Sequence, residues 1–277
     1  MKYINFFILI IRPLNMLIAL LSIFVVYSIL SDINISLLIL IFFVIFCYMS
    51  GGYILNDFLD IEVDKINKPH RALVQHEINH HFIIILILTF FIIGSLIANI
   101  LSPLSRDIAI YVALPGIISY EFIFKKIALI GNIIISILVG VVFIYSEAAI
   151  VGSVVITYKI MILAFFLNLI REIIKDIQDE RGDRAYHFKT LPIILGIPKT
   201  ILLIRLISIL FFVASLFFAP QFISPYFLPL IFFTIHLPLL YINLGLKDNI
   251  SSKECARFSN ILKLMIINGV LIILILA

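Results

Sequence analysis

The sequence predicts an all-helical integral membrane protein with nine transmembrane helices in one bundle. Of its 277 residues, 63% are apolar and only 13% are charged, and the mean hydropathy is +1.23. Apolar stretches close to the roughly 20 residues that cross a bilayer recur along the chain, with no long polar block between them. This pattern excludes a soluble enzyme on a single anchor, a disordered scaffold and a secreted disulfide-rich protein, and two cysteines are too few for the last.

Breaking the apolar pattern at charged residues, prolines and glycines gives the nine helices. In chain order they cover residues 14–30, 36–55, 82–101, 107–124, 128–145, 154–173, 200–219, 222–242 and 258–276. The first is a retained span and not a signal peptide, because Ser31-Asp32-Ile33 offers no small-residue cleavage site. The stretches are apolar on every side, unlike the strands of a membrane barrel, so a helical bundle is the remaining spanning structure. We treat residues 1–277 as a single membrane-embedded domain.

The basic residues predict the orientation of the bundle. With nine crossings, 18 of the 20 lysines and arginines fall on one face, and only Arg106 and Lys159 are left for the other. Cytoplasmic loops carry the excess of basic residues. We therefore expect a multi-pass protein of the cell membrane with a cytoplasmic N-terminus and an external C-terminus.

The acidic residues indicate where the chemistry is. Ten of the 16 fall in two predicted cytoplasmic connections. In the connection after the second helix, Asn56, Asp60 and Asp64 are spaced four residues apart, which would place them in a stripe on one face of a helix. Neighbouring carboxylates repel each other, so a cation is expected between them.

A second acidic segment follows the sixth predicted helix. Asp176 and Asp183 are two helical turns apart, and Asp179 is one turn before Asp183. We expect Gly182 to end or bend this helix, because glycine is conformationally permissive. The plainer alternative is that both segments are ordinary membrane-edge loops whose acids pair with nearby lysines and arginines.

Oxygen ligands in this number, without cysteine or clustered histidine, suit Mg²⁺. We expect the two segments to converge and hold a diphosphate through bridging metal ions. Cations near them could neutralise a departing diphosphate. The candidate metal ligands are Asn56, Asp60, Asp64, Asp176, Asp179 and Asp183, and the cations are Lys68, Arg71, Lys125, Lys126, Lys175, Arg184 and Lys189.

The two segments together resemble the UbiA superfamily of intramembrane prenyltransferases. The similarity rests on N-x3-D-x3-D with a following arginine in residues 56–71, and on K-D-x2-D-x3-D with a trailing K-T-L-P in residues 175–192. It extends from Arg12-Pro13-Leu14-Asn15 to about Leu195. Residues 64–71 and 171–176 are most similar to the archaeal branch, which adds a second geranylgeranyl chain to geranylgeranylglyceryl phosphate in ether-lipid biosynthesis.

The resemblance implies nine helices and an Mg²⁺-dependent transfer of the geranylgeranyl group from geranylgeranyl diphosphate to that acceptor's free hydroxyl. The allylic cation would need aromatic side chains and the exclusion of water. Membrane lipid is an expected partner, and nucleic acid is not. The implied catalytic carboxylates are Asp60, Asp64, Asp176 and Asp183. The implied diphosphate-binding residues are Lys68, Arg71, Lys125, Lys175, Arg184, Lys189 and Tyr120. The implied acceptor-binding residues are Arg12, Asn15 and Lys126.

Three alternatives stay open at this point. The chain could prenylate an aromatic acceptor such as 4-hydroxybenzoate. His76-Glu77-Ile78-Asn79-His80 fits H-E-x-x-H, the signature of zinc metallopeptidases, but only if a helix places both histidines on one face. Asn79 could instead cap the helix that begins near His81.

A transporter would need polar residues at mid-membrane and an internal repeat.

Overall fold

The structure, a computed structural model, describes residues 10–30, 34–69, 71–76, 78–218 and 224–276. Within these ranges the chain is helical, and its extended pairing is limited to one isolated parallel bridge between Ile127 and Lys189. The chain divides into two compact units. The first runs up to Phe124 and includes Val141–Val155, and the second comprises Lys125–Gly140 and the residues from Ile156 onward.

The first unit is built around two long helices, α2 and α5. The helix that follows α5 is interrupted by a π-helical stretch. The elements are α1 (Pro13–Leu30), α2 (Ile35–Leu59), α3 (Ile61–Asn67), α4 (Ala72–Gln75), α5 (His80–Ala98), α6 (Pro103–Asp107), the π-helical stretch Ile108–Ala113 and α7 (Leu114–Phe122). The second half of α8 (Ile130–Val151) also belongs to this unit.

The second unit is built around α9, which packs against α11 and α14. It contains the first half of α8 and a second π-helical stretch. The remaining elements are α9 (Tyr158–Ala185), α10 (Leu191–Leu195), α11 (Ile197–Phe218), α12 (Phe227–Ile231), the π-helical stretch Phe232–His236, α13 (Leu237–Gly245) and α14 (Ser252–Leu276).

In the residues that the structure describes, each of the nine predicted segments lies mainly on a helix or on a series of short helices. Within the described ranges, seven are long and apolar enough to cross a membrane: α1, α2, α5, α8, α11, the series Phe227–Gly245, and α14. The fourth predicted segment is divided by the stretch Ile108–Ala113, and the sixth lies in α9, whose last turns are charged. The structure therefore supports a multi-pass, all-helical membrane protein, and the number of nine crossings stays a prediction.

Each π-helical stretch is followed directly by a Leu-Pro pair. Leu114-Pro115 follows the first stretch, and Leu237-Pro238 follows the second. Proline has no amide hydrogen and its ring clashes with the carbonyl four residues earlier. A wider π turn next to the proline relieves that clash within an otherwise continuous helix.

Glycines allow α2 and α5 to approach closely in the first unit. A Cβ atom on Gly51 would lie 2.6 Å from the ring of Phe91, and one on Gly94 would lie 2.7 Å from the ring of Tyr48. The Tyr48 hydroxyl is also 2.9 Å from Ser95 Oγ. Because lipid offers no hydrophobic drive for helix association, such close packing is what holds membrane helices together.

We expect Gly94→Ala to destabilise the protein even though alanine is the better helix former. The new methyl group would overlap the buried ring of Tyr48, and overpacking of this kind costs about 1–3 kcal/mol. Gly269→Ala is the matched control, because its Cβ would meet Ile235 at an ordinary 3.4 Å. Thermal unfolding in detergent should show a lower midpoint for Gly94→Ala only, and equal midpoints for both variants would contradict this account of the packing.

Candidate active site

The first acidic segment bends at Asp60. The structure ends α2 at Leu59 and begins α3 at Ile61, so the stripe expected on one helix is divided between two helices that meet at Asp60. Asp60 has φ −99° and ψ 7°, outside the helical range. Backbone hydrogen bonds nevertheless continue across the bend, from Asp60 N to Asn56 O at 3.0 Å and from Asp64 N to Asp60 O at 2.7 Å. The three polar residues therefore still follow one another at one-turn intervals.

The Asn56 side chain connects several parts of the first unit. Its Nδ2 donates to Asp60 Oδ2 at 3.1 Å and to Glu121 Oε2 at 3.0 Å, and its Oδ1 accepts from Arg12 at 3.4 Å. Glu121 lies on α7 and is only 5% exposed. The sequence analysis did not identify Glu121, although an isolated acid in an apolar helix is itself a functional signal.

Asp57 is a second residue that the sequence analysis missed. Its carboxylate is buried, with 2% of the side chain exposed, and it accepts hydrogen bonds from both Arg12 and Arg71. These arginines are 45 and 14 residues away in the sequence. Asp57 therefore fixes the positions of two guanidinium groups beside the acidic segment.

Arg12 is held in place from several directions. It has φ +55°, a left-handed conformation that non-glycine residues rarely adopt, immediately before α1 begins at Pro13. Its guanidinium carbon lies 4.3 Å from the centre of the Tyr53 ring. Asn15 Nδ2 donates to the hydroxyl of the same Tyr53 at 2.9 Å. Arg12 and Asn15 are two of the three residues predicted to bind the acceptor. Both therefore contact α2 near Asp57.

Asp64 is buried at 5% exposure and lies near two cations. Its oxygens are 3.8 Å from Arg71 Nε and 4.0 Å from Lys68 Nζ. Burial raises the pKa of Asp64, and this effect exceeds the lowering by Lys68 and Arg71. The site therefore favours either a proton or a further cation on this carboxylate.

The second acidic segment is entirely helical. We expected Gly182 to end or bend the helix, but α9 continues to Ala185, because the Tyr186 amide still donates to the Gly182 carbonyl at 3.1 Å. A row of polar residues with spacings of three or four runs along α9. It consists of Asn168, Glu172, Asp176, Asp179 and Asp183.

Asp176 has a partner on a neighbouring helix of the second unit. Asn132 Nδ2 of α8 donates to Asp176 Oδ2 at 2.9 Å. Burial raises the pKa of Asp176 to about 8, although the Asn132 hydrogen bond lowers it, and Asp183 and Glu172 raise it further. Burial therefore disfavours the charged form of this carboxylate unless a cation binds beside it.

Two of the predicted cations in the second unit pair with acids on their own helix. Lys175 Nζ and Arg171 Nη1 each lie 2.7 Å from a Glu172 oxygen. Arg184 Nη2 lies 2.6 Å from Glu180 Oε1, and its side chain is 63% exposed. Arg184 thus forms a surface pair, which weakens the case for its predicted role in diphosphate binding.

The remaining predicted cations of this unit lie on two segments that contact each other. Lys189 N donates to Lys126 O at 3.1 Å, and Lys126 Nζ lies 5.3 Å from the centre of the Phe188 ring. Lys125 belongs to the same short 3-10 turn as Lys126. In the first unit, Tyr120 lies half-buried on α7, directly before Glu121.

The structure contradicts the metallopeptidase hypothesis. Helix α4 ends at Gln75, His76 is extended with φ −128° and ψ 120°, and His80 is the first residue of α5. The two histidines therefore do not share the helix face that H-E-x-x-H requires, and Glu77 lies outside the described residues. The capping prediction is confirmed, since Asn79 Oδ1 accepts from His81 N at 2.9 Å.

The donors in both segments are carboxylate and carboxamide oxygens, which fit Mg²⁺. In the described part of the chain, no three histidine, cysteine or acidic side chains come close enough together to hold a metal ion on their own. The metal site therefore stays a prediction. Its proposed ligands are Asn56, Asp60 and Asp64 in the first unit and Asp176, Asp179 and Asp183 in the second.

Comparison with known proteins places these features in a family. The profile of the UbiA prenyltransferase family matches residues 15–267. A digeranylgeranylglyceryl phosphate synthase from Pyrococcus furiosus is 33% identical over 216 residues, 76% of each chain. Another synthase of that name, from Sulfurisphaera tokodaii, is 32% identical over 254 residues, 89% of each chain.

Solved structures agree with this assignment. A structure described as digeranylgeranylglyceryl phosphate synthase in membranes has a TM-score of 0.77 and 25% identity, covering 100% of this chain and 99% of that one. A UbiA homologue from Archaeoglobus fulgidus bound to DMAPP and Mg²⁺ has a TM-score of 0.72 and 20% identity, covering 98% and 99%, which shows a shared fold. The resemblance inferred from the two acidic motifs is confirmed, and the chain belongs to the UbiA prenyltransferase family.

Proposed function

We propose that this protein transfers the geranylgeranyl group from geranylgeranyl diphosphate to the free hydroxyl of geranylgeranylglyceryl phosphate, in an Mg²⁺-dependent step of archaeal ether-lipid biosynthesis. The observation that carries the proposal is its similarity to synthases of that product over 76% to 89% of both chains. Both acidic motifs lie inside the matched region of the family, residues 15–267.

The proposed arrangement in the membrane has nine crossings with the N-terminus and both acidic segments on the cytoplasmic side. Its support is that the predicted segments lie mainly on helices and that nine crossings would place 18 of the 20 basic residues on one side. We propose that both units work together as one catalytic domain in the cell membrane. A lipid-soluble substrate and product could then enter and leave through the bilayer.

The acidic segments are the proposed metal ligands. Asp60 and Asp64 from the first segment, and Asp176 and Asp183 from the second, would hold Mg²⁺. When bound, Mg²⁺ would neutralise negative charge on the diphosphate and so favour breakage of the allylic C–O bond. Burial of Asp64 and Asp176 raises the pKa of each, which is the condition under which a carboxylate gains most from a cation.

The arginine pair on Asp57 is proposed to bind both phosphate-bearing substrates. Two guanidinium groups share one carboxylate, so the cluster of Arg12, Asp57 and Arg71 keeps positive charge. Arg71, which also approaches Asp64, would donate to the diphosphate, and Arg12 would donate to the phosphate of the acceptor. A shared anchor would hold the two substrates side by side, which lowers the entropic barrier to their reaction.

The bond changes in the proposed reaction are simple. The allylic C–O bond breaks and diphosphate leaves with the bonding electrons. The acceptor hydroxyl then attacks the allylic carbon to form an ether bond, and its proton is released to water or to the diphosphate. Water must be kept from the allylic carbon, because it would give the alcohol instead. The chain has 25 phenylalanines and 11 tyrosines to line an apolar, aromatic cavity, and no tryptophan.

The substrate assignment predicts the outcome of one incubation. Purified protein with labelled geranylgeranyl diphosphate and Mg²⁺ should form product with geranylgeranylglyceryl phosphate and none with 4-hydroxybenzoate. Removing Mg²⁺ by chelation should stop the reaction, and restoring it should recover the rate. Transfer to the aromatic acid would overturn the acceptor assignment while leaving the prenyltransferase activity intact.

The metal-site assignment predicts that Asp64→Ala and Asp176→Ala each abolish turnover while the protein stays folded. Each substitution removes a proposed ligand without adding bulk. Glu62→Gln is the control, since Glu62 lies between Asp60 and Asp64 in the sequence but is 60% exposed and pairs with Lys65. We expect near-normal rates for the control, and near-normal rates for either aspartate variant would count against the site.

The arginine arrangement predicts that Asp57→Asn lowers kcat/KM for both substrates by about 100-fold, because small displacements of substrate-binding groups have effects of that size. Glu180→Gln removes an exposed ion pair with Arg184 and should leave both values unchanged. Steady-state kinetics with each substrate varied in turn would test this. A selective effect on one substrate would show that Asp57 does not position both arginines.

A further inference from the structure

Helices α8 and α9 of the second unit meet at three positions that are one turn apart on α8. Asn132 donates to Asp176 at 2.9 Å, and Ser136 Oγ accepts from Asn168 Nδ2 at 3.2 Å. At the third position, a Cβ atom on Gly140 would lie 2.7 Å from Met161 Cγ. Residue numbers rise along α8 as they fall along α9 at these contacts, so the two helices run antiparallel here, and their backbones come close together at Gly140.

Two of these contacts have a structural explanation. Ser136 and Asn168 are 0% and 3% exposed, and their hydrogen bond lies within the buried interface between the helices. Hydrogen bonds and small residues of this kind join helices in membranes. Neither residue is a proposed metal ligand, so this pair accounts for helix association and not for chemistry.

Asn132 differs because it contacts an acid of the proposed metal site. Its side-chain amide, on a residue that is 7% exposed, donates to Oδ2 of Asp176. An N–H donor on one carboxylate oxygen leaves the other oxygen available to a cation. Mg²⁺ prefers single oxygen atoms in an octahedral arrangement, so an aspartate held in this way has its free oxygen oriented in advance.

We propose that Asn132 is a positioning residue that holds Asp176 by Oδ2 and so directs Oδ1 toward the position where Mg²⁺ would bind. This inference rests on the proposed function, because it assumes that Asp176 is a metal ligand. Groups that orient metal ligands typically change metal affinity by about 10–100-fold when removed. Asn132 lies 44 residues from Asp176, in an apolar helix, and forms no part of either acidic motif.

The experiment measures metal binding as well as turnover. Full-length protein in detergent is titrated with Mn²⁺ in the presence of inorganic pyrophosphate, and free Mn²⁺ is followed by electron paramagnetic resonance. Asn132→Leu removes the amide while keeping the number of side-chain heavy atoms and their branching, and we expect Mn²⁺ affinity to fall about 10–100-fold. Ser136→Ala, one turn away in the same interface, is the control and should bind Mn²⁺ like the wild type.

The Mg²⁺ dependence of turnover provides a second measurement. A general loss of helix packing would not raise the Mg²⁺ requirement selectively. In Asn132→Leu, the Mg²⁺ concentration for half-maximal rate should rise by a similar factor while KM for the acceptor stays constant. Thermal unfolding without metal checks that the variant is folded. If Asn132→Leu does not fold, Asn132→Ala, which introduces a strong helix former, is measured with the same expected result.

The outcomes separate this inference from the proposed function. Wild-type Mn²⁺ affinity in the folded Asn132 variant overturns the role of Asn132 alone. An equal loss in Ser136→Ala also overturns it, because the effect would then belong to helix packing. Failure of the wild type to bind Mn²⁺ with pyrophosphate overturns the metal site itself, and this inference with it.

Discussion

The whole arrangement depends on compensating the charge of the carboxylates in the two acidic segments. A buried carboxylate without a partner is strongly unfavourable, so each one must be neutralised or hydrogen-bonded. Asp57 meets this requirement through Arg12 and Arg71, which makes it a fixed structural ion pair. Asp64 and Asp176 meet it only in part, because burial raises the pKa of both despite their neighbours. The incompletely compensated carboxylates are the ones suited to binding a metal ion.

The local structure differs between the two acidic segments. The bend at Asp60 lets the first segment leave the line of α2 while keeping one-turn backbone hydrogen bonds. In the second segment, α9 remains helical to Ala185, so its acids keep a regular spacing. Arg71 follows the first segment closely enough to approach both Asp57 and Asp64. Local helix geometry therefore sets the spacing of the acids, and partners distant in the sequence decide which of them are paired.

Much of the fold could be predicted because apolar length and charge breaks determine where membrane helices lie. The cap at Asn79 also followed from a local rule. Helix ends were less accurate, because α9 tolerates Gly182 and charged residues beyond its apolar part. Likewise, the pairing of Arg184 with Glu180 follows the four-residue helix rule and could have been predicted.

The site was predicted less completely, for physical reasons. The roles of Asp57, Glu121 and Asn132 depend on partners 14 to 65 residues away, which no local pattern records. Asp57 is adjacent to Asn56, the first residue of the predicted stripe of Asn56, Asp60 and Asp64. The sequence alone does not indicate the long-range partners of Asp57. The available signal for Glu121 and Asn132 was a polar residue inside an apolar helix. Such residues in a membrane protein merit the same attention as the motifs.

The central proposal is that both acidic segments bind one and the same metal–diphosphate complex. A double-mutant cycle tests it directly: calorimetric affinities for pyrophosphate in saturating Mg²⁺ are measured for the wild type, Asp64→Asn, Asp176→Asn and the double variant. We expect each single substitution to remove most of the binding, and the double variant to be little worse than either single one. Losses that simply add, or a loss confined to one segment, would contradict the account.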